Sequence, residues 1–164
     1  MSSLRRAPGE VVVLAVISYA VLQWQGRTSG STYAERRAVL PGDDLLRRPQ
    51  VSITHAVTVP VQPSRVWPWL VQMGWGRAGW YTPRWVDRLL FPANGPSADR
   101  ILPGLQRLSA GDVIPDGPAE SECSFTVVDL VPERRLVLRS TSHLPLSWRR
   151  PGELTCSWSG RTGW

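Results

Sequence analysis

The side chains best able to do chemistry crowd into one short stretch. Trp75, Trp80, Tyr81 and Trp85 fall there, with Arg77 among them. Flat aromatic faces line sites for apolar ligands, and a guanidinium beside them can pair with a ligand carboxylate. The same residues also suit a plug under a loop, with Arg77 stacked on a neighbouring tryptophan. Residues 74–79 read Gly-Trp-Gly-Arg-Ala-Gly, the glycine spacing of a dinucleotide-binding loop. That chemistry needs a strand before the first glycine and a helix opening inside the motif. Here a helical pattern precedes and an aromatic loop follows, so the glycines are expected to permit a tight turn between two helices.

Other polar candidates are scattered. Asp99-Arg100 and Asp112 could serve a binding site; the alternative is that Asp99 caps a turn and Arg100 pairs with it. His143 follows a strand pattern and could act as an acid or base, or lie at the surface beside Pro145. His55 is expected at the edge or end of a strand. Cys123 and Cys156 are too few for a disulfide framework and read as two half-buried thiols on strands. With only His55 and His143 besides, and neither at ligand spacing, no zinc site is expected. No G-x-S-x-G, H-E-x-x-H, Walker loop or paired-carboxylate arrangement occurs, which argues against the common hydrolase and metallo-enzyme classes. Nothing in the pattern asks for a cofactor.

The 164 residues suffice for one domain with a real core. Nine tryptophans suit a core or a cavity wall, since each joins a large apolar body to one N–H donor. The formal charge is +6, from 19 basic and 13 acidic residues, and every basic residue is arginine. The arginines run no longer than pairs such as Arg36-Arg37 and Arg134-Arg135, so they read as solvated surface and not as the basic stripe of a nucleic-acid reader.

The elements that must position these residues begin with an apolar run over residues 11–22. Twelve helical residues rise about 18 Å, short of a hydrocarbon core of roughly 30 Å. Residues 1–24 therefore read either as a membrane anchor or signal-like segment, with Trp24 at the interface, or as a helix packed on the domain. A cytoplasmic protein is expected, or one held at a membrane through residues 11–24. Residues 25–50 read as a linker holding a short helical piece near 32–40, capped by Thr32 with Glu35 three residues on. Residues 51–164 are expected to form the folded domain.

Within it, residues 51–59 alternate, with Val51, Ile53, His55, Val57 and Val59 on one face, which predicts a half-buried strand. A helix is predicted over 64–73, with Val66, Trp69, Leu70 and Met73 as its apolar stripe and Pro68 near its first turn. Gly74 stops it. A second helix fits 83–90, with Thr82 as cap, Pro83 first, and Val86, Leu89 and Leu90 apolar. Strands are predicted at 111–114, 123–131, 136–141 and 154–158, with Pro132-Glu133-Arg134 as a turn. The class is α+β.

The order of strand, two short helices and antiparallel meander resembles the helix-grip fold. The likeness is carried by Leu40-Pro41-Gly42-Asp43-Asp44-Leu45, by residues 66–74, by Gly76-Arg77-Ala78-Gly79-Trp80-Tyr81, and by Ser97-Ala98-Asp99-Arg100-Ile101. Gly111-Asp112-Val113 and residues 127–139 complete the set. Together they resemble SRPBCC (START-like) proteins of the kind common in actinobacteria and often labelled polyketide cyclase/dehydrase-like, over about residues 40–150. The resemblance implies a curved antiparallel sheet wrapped on a long C-terminal helix, with a cavity between them for a hydrophobic small molecule. Trp75, Arg77, Trp80, Tyr81, Trp85, Arg100, Asp112 and His143 are the candidate ligand-binding residues. It also admits an aromatase/cyclase-like enzyme acting through polar groups of that cavity. Similar proteins continue beyond Trp158 with another strand and the long helix, so the domain is expected to be incomplete and its C-terminal helix missing.

Overall fold

The structure, a computed structural model, describes residues 8–47, 49, 51–90, 92–140 and 154–159. They divide into two compact units: the described residues of Met1–Val39 and Arg48–Val59, and those of Leu40–Arg47 and Pro60–Trp164.

The first unit opens with helix α1, Pro8–Thr28. Its apolar residues project on several sides; Val12, Ile17, Tyr19, Leu22 and Trp24 are all more than half exposed. Among the described residues no helix is long and apolar enough to cross a membrane. Helix α2, Tyr33–Arg37, is stopped at its start by the expected capping box. Thr32 Oγ1 accepts from the Glu35 N–H, and the Glu35 carboxylate accepts from the Thr32 N–H at 2.7 Å. Two otherwise orphaned helix donors are thereby satisfied within four residues.

Residues 51–59 correct the sequence reading: they join no sheet. The alternating side chains lie open, with Ile53 55% and Val57 83% exposed. The Thr54 and Ala56 N–H groups donate instead to the carbonyls of Arg27, in the last turn of α1, and Ser29, just beyond it, at 3.2 and 3.3 Å. A helix C-terminus leaves carbonyls without intrahelical donors, and an extended segment laid beside it supplies them. Gly30 makes the approach possible, since a Cβ there would meet the Ala56 carbonyl oxygen at 2.0 Å.

The second unit is mixed α+β. Helix α3 is Pro63–Val71 and α4 is Arg84–Leu90. Strands β1, Val113–Pro115; β2, Ser124–Val131; β3, Arg135–Ser140; and β4, Leu154–Ser159 pair as an antiparallel meander in the order β1-β2-β3-β4. The short edge strand β1 tolerates Pro115, which has no N–H to give a ladder. Residues 132–134 turn β2 into β3, with Glu133 at φ 62 and the Arg134 N–H donating to the Val131 carbonyl. The register slips between Val127↔Leu138 and Asp129↔Val137, leaving Val128 as a bulge.

Ile114, Val127, Leu136 and Leu138 are buried on one sheet face, and α3 covers them with Trp67, Leu70 and Val71. Phe125, Leu130, Trp80 and Trp158 pack around the same cluster. The helix is therefore rotated from the stripe expected in the sequence, because Trp67 fills the sheet face against Trp158 at 5.8 Å while Trp69 turns to Tyr81. Pro68 lies inside α3, not in its first turn, and forgoes one helical hydrogen bond. In α4 the expected apolar side is not buried: Leu89 is 71% exposed, and the buried residue is Asp87. The side chain of Leu90 lies outside the described residues. Pro83, not Thr82, closes the start of α4, since its carbonyl accepts from the Val86 and Asp87 N–H groups.

Candidate functional site

Residues 74–79 form a closed loop between α3 and α4. The Gly74 and Gly79 backbones exchange two hydrogen bonds, each 3.1 Å. All three motif glycines take positive φ: Gly74 129, Gly76 66 and Gly79 80. At Gly79 an added Cβ would stand 2.9 Å from Ser97 Cα, so geometry as well as conformation demands glycine there. A helix precedes this motif and no strand does, so the tight-turn reading describes it and the phosphate-cradle arrangement is absent.

Arg77 belongs to this closure. Its Nε donates to the Met73 carbonyl and its NH2 to the Val71 carbonyl, both at 2.9 Å. A cation on the carbonyls at and just past the end of α3 also opposes the negative end of the helix dipole. Burial lowers its pKa, and the nearby Asp112 charge acts in the opposite direction. Asp112 itself accepts from the Ser109 N–H at 2.8 Å on the approach to β1.

The aromatic residues divide. Trp80 packs edge-on to Phe125 at 5.8 Å beside the core, and its indole N–H is buried with no acceptor among the described residues. Trp75 is half-buried, and its backbone N–H donates to the Pro115 carbonyl at 2.8 Å. Tyr81 has φ 56, an uncommon conformation for a bulky residue. It is held by Ser97 Oγ, which accepts from its N–H, and by its edge contact with Trp69. Trp85 is 67% exposed on α4.

Behind the loop sits Gln72, which sequence reasoning passed over. It is fully buried. Its Nε2 donates to the Tyr81 hydroxyl (2.6 Å) and the Arg100 carbonyl (3.2 Å); its Oε1 accepts from the Leu102 N–H (2.9 Å) and Gln106 Nε2 (3.2 Å). Four bonds to one amide tie α3, the aromatic loop and residues 100–106 together. Burial raises the Tyr81 pKa above its ordinary 10.0, and the Gln72 bond works against that shift.

A half-open cleft of about 640 Å³ lies elsewhere in this unit, beside α4. Arg84, Asp87 and Arg88 of α4 line it together with Pro92, residues 95–100 and Leu102. The Asp87 carboxylate is held in the lining: it accepts from the Thr82 hydroxyl, and from Ser97 Oγ at 3.4 Å. No family model matches the chain, and neither a curated protein nor a solved structure matches it.

Of the candidate residues, Arg100 lines the cleft; Trp75, Arg77, Trp80, Tyr81, Trp85 and Asp112 do not. His143 lies outside the described residues. Asp99 and Arg100 form no ion pair with each other; the ion pair among the described residues is Arg135 with Asp129, at 2.5 Å. Arg84, Arg88 and Asp87 were not singled out from sequence. The available signal for the arginines was their i, i+4 spacing on a predicted helix. Among the described residues no group of three or more His, Cys, Asp or Glu is placed to hold a metal ion.

Proposed function

We propose that the chain is a binding module for a hydrophobic small molecule, held in the cleft beside α4 of a helix-grip (START-like) domain. The fold reading is supported by the order of two short helices followed by an antiparallel meander. The binding reading is carried by one observation: a concavity of about 640 Å³ with Pro92, Pro96, Ala98 and Leu102 in its lining. That volume is in the range of small-molecule sites, about 300–1,000 Å³, where apolar walls and a few polar groups converge. On the sheet face that carries Ile114, Val127, Leu136 and Leu138, the side chains of Trp67, Leu70, Val71 and Trp80 pack.

A cyclase-like enzyme would need several polar side chains to meet in the same cleft. Of Tyr81, Arg100 and Asp112, Arg100 alone lines it, so no observation favours that reading over binding. Isothermal titration of the full chain with 1-octanol tests the proposal. Saturable one-site binding is expected, and Ala98→Trp, which fills the cleft, abolishes it. Non-saturable uptake, or binding unchanged by Ala98→Trp, contradicts it.

One observation favours a membrane role for the first unit. Val12, Ile17, Leu22 and Trp24 of α1 are exposed, and a helix apolar on several sides calls for a cover. We propose membrane association through residues 11–24. Flotation with liposomes tests it: the full chain floats and a chain starting at residue 29 does not. Equal behaviour of the two removes the idea.

A further inference from the structure

We infer that the molecule taken by the cleft beside α4 carries a single carboxylate, gripped by Arg84, Arg88 and Arg100. The inference rests on the binding reading above and specifies the chemistry of its ligand.

Arg84 and Arg88 stand four residues apart on α4 and share one side of it. Arg100 lines the same cleft from the segment after α4. All three side chains are exposed, and none has a hydrogen-bond or ion-pair partner among the described residues. Arg77 shows what the fold does with a guanidinium it uses itself: two carbonyls accept from it at 2.9 Å. The three in the cleft keep their donors free for a ligand.

The charge balance narrows that ligand. Asp87 and Asp99 line the cleft with the three arginines, so the lining has one positive charge in excess. Asp87 is 6% exposed and its oxygens already accept from Thr82 and Ser97, which holds the carboxylate in place. A monoanion cancels the excess. A dianionic phosphate overshoots it and meets two carboxylates at close range. The guanidinium fork matches a carboxylate with two parallel N–H···O bonds. In the same lining, Pro92, Pro96, Ala98 and Leu102 give an apolar tail a surface to leave water for.

The test titrates the full chain with octanoate, 1-octanol and octyl phosphate at one low ionic strength. Wild type, Arg100→Gln, the double variant Arg84→Gln/Arg88→Gln, and Arg65→Gln on the exposed side of α3 are compared, with circular dichroism confirming that each is folded. Octanoate is expected to bind about tenfold or more tighter than 1-octanol, the size of a charge-assisted hydrogen bond. Both cleft variants are expected to lose about tenfold for octanoate and less than about twofold for 1-octanol, while Arg65→Gln changes neither. Octyl phosphate binds more weakly than octanoate. If 1-octanol binds as tightly as octanoate, if octyl phosphate binds tighter, or if Arg65→Gln matches the cleft variants, the carboxylate inference falls and the binding reading stands. If neither octanoate nor 1-octanol binds, both fall.

Discussion

Arg77 and Arg100 carry the same guanidinium and meet opposite fates. Arg77 lies in the aromatic loop, where its donors end on the carbonyls of Val71 and Met73. Arg100 lies on the wall of an open cleft, and its backbone carbonyl, not its side chain, is what the fold uses, as an acceptor for Gln72. The same contrast runs through the two regions. The loop is dense with aromatic and glycine residues and spends them on its own closure. The cleft has no aromatic residue in its described lining and leaves three arginines turned to open space. A polar group whose hydrogen bonds are completed by the fold is structural; one left incomplete above a concavity is where a ligand can act.

The contrast breaks or sharpens on substitution. Gly79→Ala should cost most, about 2–5 kcal/mol, because positive φ adds to a Cβ pressed against the Ser97 backbone. Gly76→Ala, with φ 66 and open space around it, should cost about 1–2 kcal/mol. Urea unfolding compares them, and equal costs would mean that packing does not fix the loop. Gln72→Leu should lose about 2–4 kcal/mol, since it takes the acceptor from the half-buried Leu102 N–H and a donor from the Arg100 carbonyl and the Tyr81 hydroxyl, while Gln106 Nε2 keeps the Pro68 and Leu102 carbonyls. Arg77→Gln should lose about 1.5–3 kcal/mol, whereas Arg100→Gln should stay within about 0.5 kcal/mol and show its effect in ligand binding. A destabilisation by Arg100→Gln as large as that by Arg77→Gln would erase the distinction.

The smallest effect is in alkali. Burial raises the Tyr81 pKa, so the folded chain keeps this proton to higher pH than the unfolded chain. The stability linked to it is full below the ordinary value of 10.0 and is lost as pH rises through the folded value. Unfolding titrations should show a decline in that window that is shallower in Tyr81→Phe; an unchanged slope would place the hydroxyl outside the packed loop.

What could be read from the sequence was local. Thr32 and Glu35 form their capping box because both partners lie within one turn. The hairpin of β2 and β3 follows from two alternating runs around Pro132-Glu133-Arg134. Residues 51–59 show the limit: alternation declares a pleat but names no partner, and the carbonyls near the end of α1 supplied one. The rotation of α3 escaped for the same reason, since Val66 and Trp67 are equally apolar and the sheet chose between them. Gln72 could not be found, because its partners Leu102 and Gln106 lie 30 and 34 residues away. Asp87 reads as one more charge on a short helix until Thr82 and Ser97 close over it. Of the cleft, Arg100 was visible as a candidate while Arg84 and Arg88 were not, because a pair of surface arginines has no meaning until a concavity forms beside it.

The claim that the cleft and not the aromatic loop is the binding surface is tested most directly by chemical-shift mapping of octanoate on the nitrogen-15-labelled full chain. The largest shifts are expected at the amides of residues 84–88 and 97–102 and at the Arg100 side chain, with the Trp75 and Trp80 indole N–H signals unmoved. Shifts centred on those two indoles, with residues 84–88 silent, would contradict it.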